Sequence, residues 1–235
     1  MSSSNSNATP LLYACVAHQT TILAEETTSA ASAASSLASL VLPKIDHATS
    51  QKVTYTHGSN HIHYISETPS EHATHPSAGG LTFLVVAEST LGRRIPFAFL
   101  LEIRNRFFAQ FPEASFNFGD LPNYGAASFN PDLKSLMIDF GTSQNGHDDA
   151  LNTVKQGIED VRGIMTRNIE GLMERGERMD QLVDRTDRLG GNAQEFRVRS
   201  RGLKRGMWWK NVKLMATIGA VVALIILLIT LSLRG

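Results

Sequence analysis

The sequence predicts an α+β domain over residues 11–140, followed by one long coiled-coil helix and a C-terminal membrane span. Three observations carry this reading. Short β-rich runs alternate with three amphipathic stretches in the first 140 residues, an apolar stripe with a mean step of 3.5 residues runs from Leu151 to Leu203, and Leu214 to Leu233 is 20 residues without a charge. Five strands in an antiparallel sheet between three helices form the expected domain. The 22 basic and 22 acidic residues cancel, so bulk charge gives no reason to expect nucleic acid. Cys15 is the only cysteine, which excludes an internal disulfide, offers no thiolate cluster and fits a reducing, cytosol-facing compartment.

Met1 to Pro10 is polar and patternless, the composition of a disordered tail, and has neither the charged start nor the apolar run of a secretory signal. Leu11–Ala17 and Thr21–Glu25 read as an opening hairpin. An Ala/Ser-rich helix follows, with Leu37, Leu40, Val41 and Ile45 at helical spacing and Pro43 marking where regularity fails. Val53–Thr56 and His61–Ile65 flank a turn at Gly58-Ser59-Asn60, a second hairpin. Glu67 to Gly80 reads as an insertion-tolerant loop, and Leu81–Ala87, almost continuously apolar, as a strand covered on both faces. Ile95 to Phe111 is a helix with Pro96 in its first turn and Phe97, Leu100, Ile103, Phe107 and Phe111 on one face. Asn130 with Pro131 is expected to cap a short helix carrying Leu133, Leu136, Met137 and Phe140.

Beyond the linker-like Gly141–Gly146 lies the stripe: Leu151, Val154, Ile158, Val161, Met165, Asn168, Leu172, Arg175, Met179, Leu182, Thr186, Leu189, Ala193, Phe196, Ser200 and Leu203. A step of 3.5 is the coiled-coil period, and it keeps the seam facing its partners over about 78 Å of helix at 1.5 Å per residue. Gly157, Gly163, Gly171, Gly176, Gly190 and Gly191 lie off the seam, each costing about 1 kcal/mol of helix stability relative to Ala. The segment is therefore expected to become helical only when partner helices bury its stripe. Arg175 is the wrong residue for a core. On spacing alone it is a register-setting defect, a snorkelling edge residue, or a charge that demands acceptors from a partner.

Phe196 to Lys213 carries seven basic residues and no acid, with Trp208 and Trp209 among them. Arg205, Trp208, Trp209, Lys210 and Lys213 suit the membrane interface, and the basic collar suits anionic lipid. The uncharged run from Leu214 to Leu233 matches the hydrocarbon thickness a helix must cross. The positive flank places everything before it in the cytosol, as a single-pass tail anchor. His61 and His63 share a strand face, with His57, His72 and His75 nearby, but no carboxylate or thiolate accompanies them at ligand spacing, so no metal is expected. Gly141 to Gly146 is not a phosphate loop, since neither a leading strand nor a following Lys-Ser/Thr is present. No nucleophile, base and orienting group assemble from local motifs, so neither an enzyme nor a cofactor is expected.

Gly163-Ile164-Met165-Thr166-Arg167-Asn168-Ile169-Glu170, Glu174-Arg175-Gly176-Glu177-Arg178, Leu182-Val183-Asp184-Arg185-Thr186-Asp187-Arg188-Leu189 and Trp208-Trp209-Lys210-Asn211 together resemble the SNARE motif of synaptobrevin-type R-SNAREs. Thr20–Ala24, Thr54–Gly58 and His63–Ile65, with the following strand and Phe-rich helix, are similar to the longin (profilin-like) domain of the long vesicle-associated membrane proteins of the endosomal and vacuolar class. The resemblance divides the chain into a tail (1–10), a longin domain (11–140), a linker (141–147), an R-SNARE motif (148–207), a juxtamembrane collar (208–213) and an anchor (214–233). It implies zippering with three Q-SNARE helices of the target membrane into a parallel four-helix bundle. There Arg175 takes the zero-layer position against three glutamines, and fusion follows at a vesicle, late endosome, vacuole or lysosome membrane. It further implies tethering, SM-type and sorting factors as partners, and a longin domain that regulates by folding the motif back or by recruiting such factors. A tail-anchored adaptor or inhibitory SNARE, binding partners without driving fusion, is the alternative.

Overall fold

The computed structural model describes residues 9–28, 32–142 and 163–172. Eight elements make up the N-terminal domain: β1 (Leu11–His18), β2 (Thr21–Thr27), α1 (Ser32–Val41), β3 (Gln51–His57), β4 (Asn60–Ser66), β5 (Leu81–Glu88), α2 (Arg94–Gln110) and α3 (Asn130–Thr142). A ninth, β6 (Met165–Asn168), joins the same sheet, whose strand order is β2-β1-β5-β4-β3-β6.

The sheet is therefore six-stranded and mixed, not five-stranded and antiparallel as expected. The first five strands do pair antiparallel, and β6 adds to the free edge of β3 in parallel. An edge strand presents a row of unmatched N–H and C=O groups, and a downstream segment of the same chain satisfies them here.

Both faces of the sheet are covered. On one, α2 and α3 pack on Leu81, Phe83, Val85 and Ala87 of β5 with Ala14 and Val16 of β1. On the other, α1 packs on Leu84, Val86, Tyr13, Cys15, Val53 and Tyr55. Alternate residues of β5 thus enter two different cores, which is why the strand reads as one apolar run. The Phe-rich face of α2 centres on Phe107, which meets Phe83, Phe111, Phe118 and Phe129 at centroid distances of 4.9 to 5.8 Å. Gly58, at φ +54°, turns the β3–β4 hairpin in a left-handed conformation that a side chain would strain.

Two local expectations change. Asn130 does not cap α3. It has helical dihedrals, and its Oδ1 accepts the backbone N–H of Glu25 (3.1 Å), so it ties α3 to the edge strand β2. Thr9 is buried rather than part of a solvated tail, its hydroxyl donating to the carbonyl of Met137 (2.9 Å) at the close approach to Gly141.

The stretch between β4 and β5 is held by charge. Glu67 is buried and accepts from the guanidinium of Arg104 on α2 through both oxygens. His72 places Nε2 2.9 Å from Glu67 Oε2 and Nδ1 2.9 Å from Glu113 Oε2. Carboxylates only accept, so the protonated imidazole, with a donor on each ring nitrogen, is the form that satisfies both contacts. Burial alone would lower the His72 pKa, but the bonds to Glu67 and Glu113 outweigh it and raise it. Burial likewise pushes Glu67 up, and Arg104 and His72 more than reverse that, holding its carboxyl below the usual range. Ligand atoms of Glu67, Glu71 and His72 lie within 4.8 Å of one another, but those of Glu67 and His72 are engaged in these pairs. Carboxylates therefore do stand at ligand distance from His72, contrary to the sequence expectation, and here Glu67 and Glu113 pair with it in an ion-pair network.

Candidate interaction site at the sheet edge

The segment 163–172 crosses from one face of the domain to the other. Its register is Val53 with Met165, Thr54 with Thr166, Tyr55 with Arg167 and Thr56 with Asn168. The four strand side chains are exposed, Met165 at 39% being the one large exposed hydrophobic among the described residues. The strand is thus held chiefly by its backbone pairing and by what flanks it.

On the N-terminal side Ile164, 9% exposed, packs with the core under α2 and α3. On the C-terminal side Ile169 is fully buried in the core under α1, which contains Leu37, Ala38, Val41, Tyr55 and Tyr64. Burying an isoleucine side chain is worth about 1.5–3 kcal/mol relative to leaving it in water. After β6, Asn168 Oδ1 accepts the N–H of Glu170 (3.0 Å), and a 3-10 turn over Ile169–Leu172 drops Ile169 and, partly, Leu172 onto the sheet.

Polar contacts set the register from both sides. The Arg93 guanidinium, just before α2, donates to the Thr166 hydroxyl (3.2 Å). The Thr56 hydroxyl donates to the Arg167 carbonyl (3.5 Å). On the neighbouring strands, Thr54 Oγ1 of β3 lies 2.9 Å from Nδ1 of the buried His63 of β4, whose ring meets Phe97 of α2 edge-on and His61 at 5.8 Å. Burial, with His61 and Arg93 nearby, pushes the His63 pKa down to about 3, so the imidazole is neutral. Tyr55 and Tyr64 stack at 6.3 Å on the α1 side, where burial raises the Tyr64 phenol and Arg167 partly offsets it.

Of the seam residues, Met165, Asn168 and Leu172 are therefore found on a strand and a 3-10 turn and not on a helix in the isolated chain. Gly163 and Gly171 weaken a helix here, and β3 supplies the backbone partners that helix bonds would otherwise give. Arg175, the remaining seam positions, Arg205, the collar 208–213 and the span 214–233 lie outside the described residues. Among the described residues no helix is long and apolar enough to cross a membrane. Ile164 and Ile169 were not singled out by the seam, since both lie off it. Their signal in the sequence is that they are apolar residues left outside the heptad stripe.

Residues 150–230 match the synaptobrevin family model, and residues 17–133 match the model of the longin, or regulated-SNARE-like, domain. Vesicle-associated membrane protein 711 of Arabidopsis thaliana is 33% identical over 207 residues, covering 87% of this chain and 86% of its own length. The chain belongs to the longin R-SNAREs. Vesicle-associated membrane protein 7A of Dictyostelium discoideum is likewise 33% identical, over 96% of this chain and 95% of its own, and vesicle-associated membrane protein 714 of Arabidopsis thaliana is 36% identical over 66% and 69%. As a longin R-SNARE the protein is a non-enzymatic component of vesicle trafficking whose family partners are Q-SNAREs. The edge site sits where its two matched regions meet, since β3 belongs to the longin domain and β6 to the synaptobrevin region.

Proposed function

We propose that this R-SNARE assembles with three Q-SNARE helices into a parallel four-helix bundle and drives fusion at endosomal or vacuolar membranes, with its longin domain holding the motif closed until those helices arrive. The single observation that carries the regulatory part is the burial of Ile169 in the α1-side core, next to a strand paired with β3. A residue rising about 3.3 Å along a strand cannot also rise 1.5 Å along a bundle helix, so pairing with β3 over Met165–Asn168 and zippering of the same residues exclude each other.

In the assembled state the seam from Leu151 to Leu203 faces its partners, and Arg175 meets three glutamine side chains in one layer. Five guanidinium donors can satisfy three amide oxygens, and any other register strands the charge, so Arg175 sets register. The span 214–233 anchors the chain and the collar transmits the pull of zippering to the bilayer. The vesicle-associated names of the relatives and the positive flank support this membrane placement.

The test is fusion between proteoliposomes carrying this chain and liposomes carrying cognate Q-SNAREs. Lipid and content mixing is expected, slowed by Arg175→Ala and accelerated by Ile169→Ser. Complex formation without mixing would contradict the fusion role, and identical rates for Ile169→Ser would contradict closure at the edge.

A further inference from the structure

We propose that Thr166 is a phosphoryl-acceptor site, and that its phosphate, bound by Arg93, locks the closed form. The inference rests on the closure reading above. It starts from the hydrogen bond that Arg93 Nη1 makes to Thr166 Oγ1 (3.2 Å), which joins the start of α2 to the docked strand. Thr166 is exposed on β6 and open to a modifying enzyme. Arg162 precedes it by four residues and Arg167 follows it, a basic surrounding of the kind protein kinases read through charge.

Arg93 forms no salt bridge among the described residues, and α2 begins with Arg94, has no acid in its first turn and has no side chain capping it. Positive charge therefore gathers at a helix end that already carries positive partial charge. A second observation points the same way. His63, fully buried beside Phe97, leaves Nε2 without a partner, and the Arg93 charge helps keep that ring neutral. A dianion on Thr166 Oγ1 supplies the countercharge that Arg93 lacks and replaces one ion–hydroxyl hydrogen bond with ion-paired ones.

In the reaction a protein kinase transfers the γ-phosphoryl group of a nucleoside triphosphate. The Oγ1–P bond forms as the bridging P–O bond to the departing nucleoside diphosphate breaks, and the hydroxyl proton passes to a base of the kinase. In a bundle helix Thr166 lies off the seam and Arg93 is out of reach, so the phosphate interacts differently with the two states and shifts the equilibrium toward the closed one.

The test uses the full chain in lipid nanodiscs, with phosphothreonine encoded at position 166, and reads amide exchange over Met165–Ile169. Exchange about tenfold slower than in the unmodified chain is expected, with the difference abolished by Arg93→Gln. If the unmodified segment is protected and the phosphate leaves exchange equal or faster, the phosphate lock is overturned and closure stands. If the segment exchanges like a free peptide in both forms, closure itself fails. Phosphopeptide mapping of the chain isolated from its cells is expected to find phosphate on Thr166, and its absence in growing and in starved cells overturns the site.

Discussion

Ile164 and Ile169, five residues apart, are buried on opposite faces of one sheet. Ile164 leads into β6 on one face, and the 3-10 turn after the strand carries Ile169 onto the other. On a helix the same two residues fall off the Leu151–Leu203 stripe. The segment thus carries two patterns at once, the heptad stripe that the proposed bundle would use and an isoleucine pair that straddles the sheet edge.

Truncating the second isoleucine should open the edge without unfolding the domain. Ile169→Ala is expected to cost about 2 kcal/mol of local docking energy, roughly a 30-fold rise in the open population. Limited proteolysis between Thr166 and Leu172 should speed up accordingly while thermal unfolding of the 9–142 domain changes little.

The stretch between β4 and β5 has a pH signature of its own. A raised His72 pKa means its contribution is fully present below the unfolded value near 6.5 and is lost as pH rises through the folded value. The thermal midpoint of the parent should exceed that of His72→Gln most clearly at acid pH, and the gap should narrow on going alkaline. A constant gap would mean that His72 acts through packing alone.

His63 has the opposite sign. With a folded pKa of about 3 against an unfolded value near 6.5, the unfolded chain takes up a proton that the native state refuses, so stability falls as pH drops from 6.5 toward 3. The urea midpoint of His63→Gln, which keeps a polar partner for Thr54, should fall less steeply over that range than the parent's.

Gly79 admits no side chain. A Cβ there would lie 2.1 Å from the backbone nitrogen of Pro69, which cannot swing away as a side-chain tip does. Gly79→Ala is expected to destabilise the domain by about 1–3 kcal/mol in chemical denaturation and to disturb the Glu67–Arg104 pairing.

The five antiparallel strands and three helices were legible because their signals are local. Leu81–Ala87 is apolar enough to require two covered faces, and the phenylalanines of α2 recur at helical spacing. Met-Thr-Arg-Asn of β6 has no such signal. Its side chains are exposed and it is a strand because β3 has an open edge, a fact about another part of the chain. Glu67, Arg104 and Glu113 were illegible for the same reason, being 37 to 41 residues from their partners in the network. Asn130 carried a capping composition, but its side chain serves Glu25 on β2, and tertiary pairing overrode the local preference.

On the proposed reading Met165–Leu172 rests on the longin sheet in the free chain and leaves it for the Q-SNARE bundle. Spin labels at Ser59→Cys and Glu170→Cys in a Cys15→Ala background, both on exposed positions beside the β3–β6 ladder, measure this by pulsed electron resonance. A closed free chain gives one short, narrow distance, replaced by a long one when the three Q-SNARE helices are added. A broad distribution in the free chain, unchanged by the partners, would contradict it.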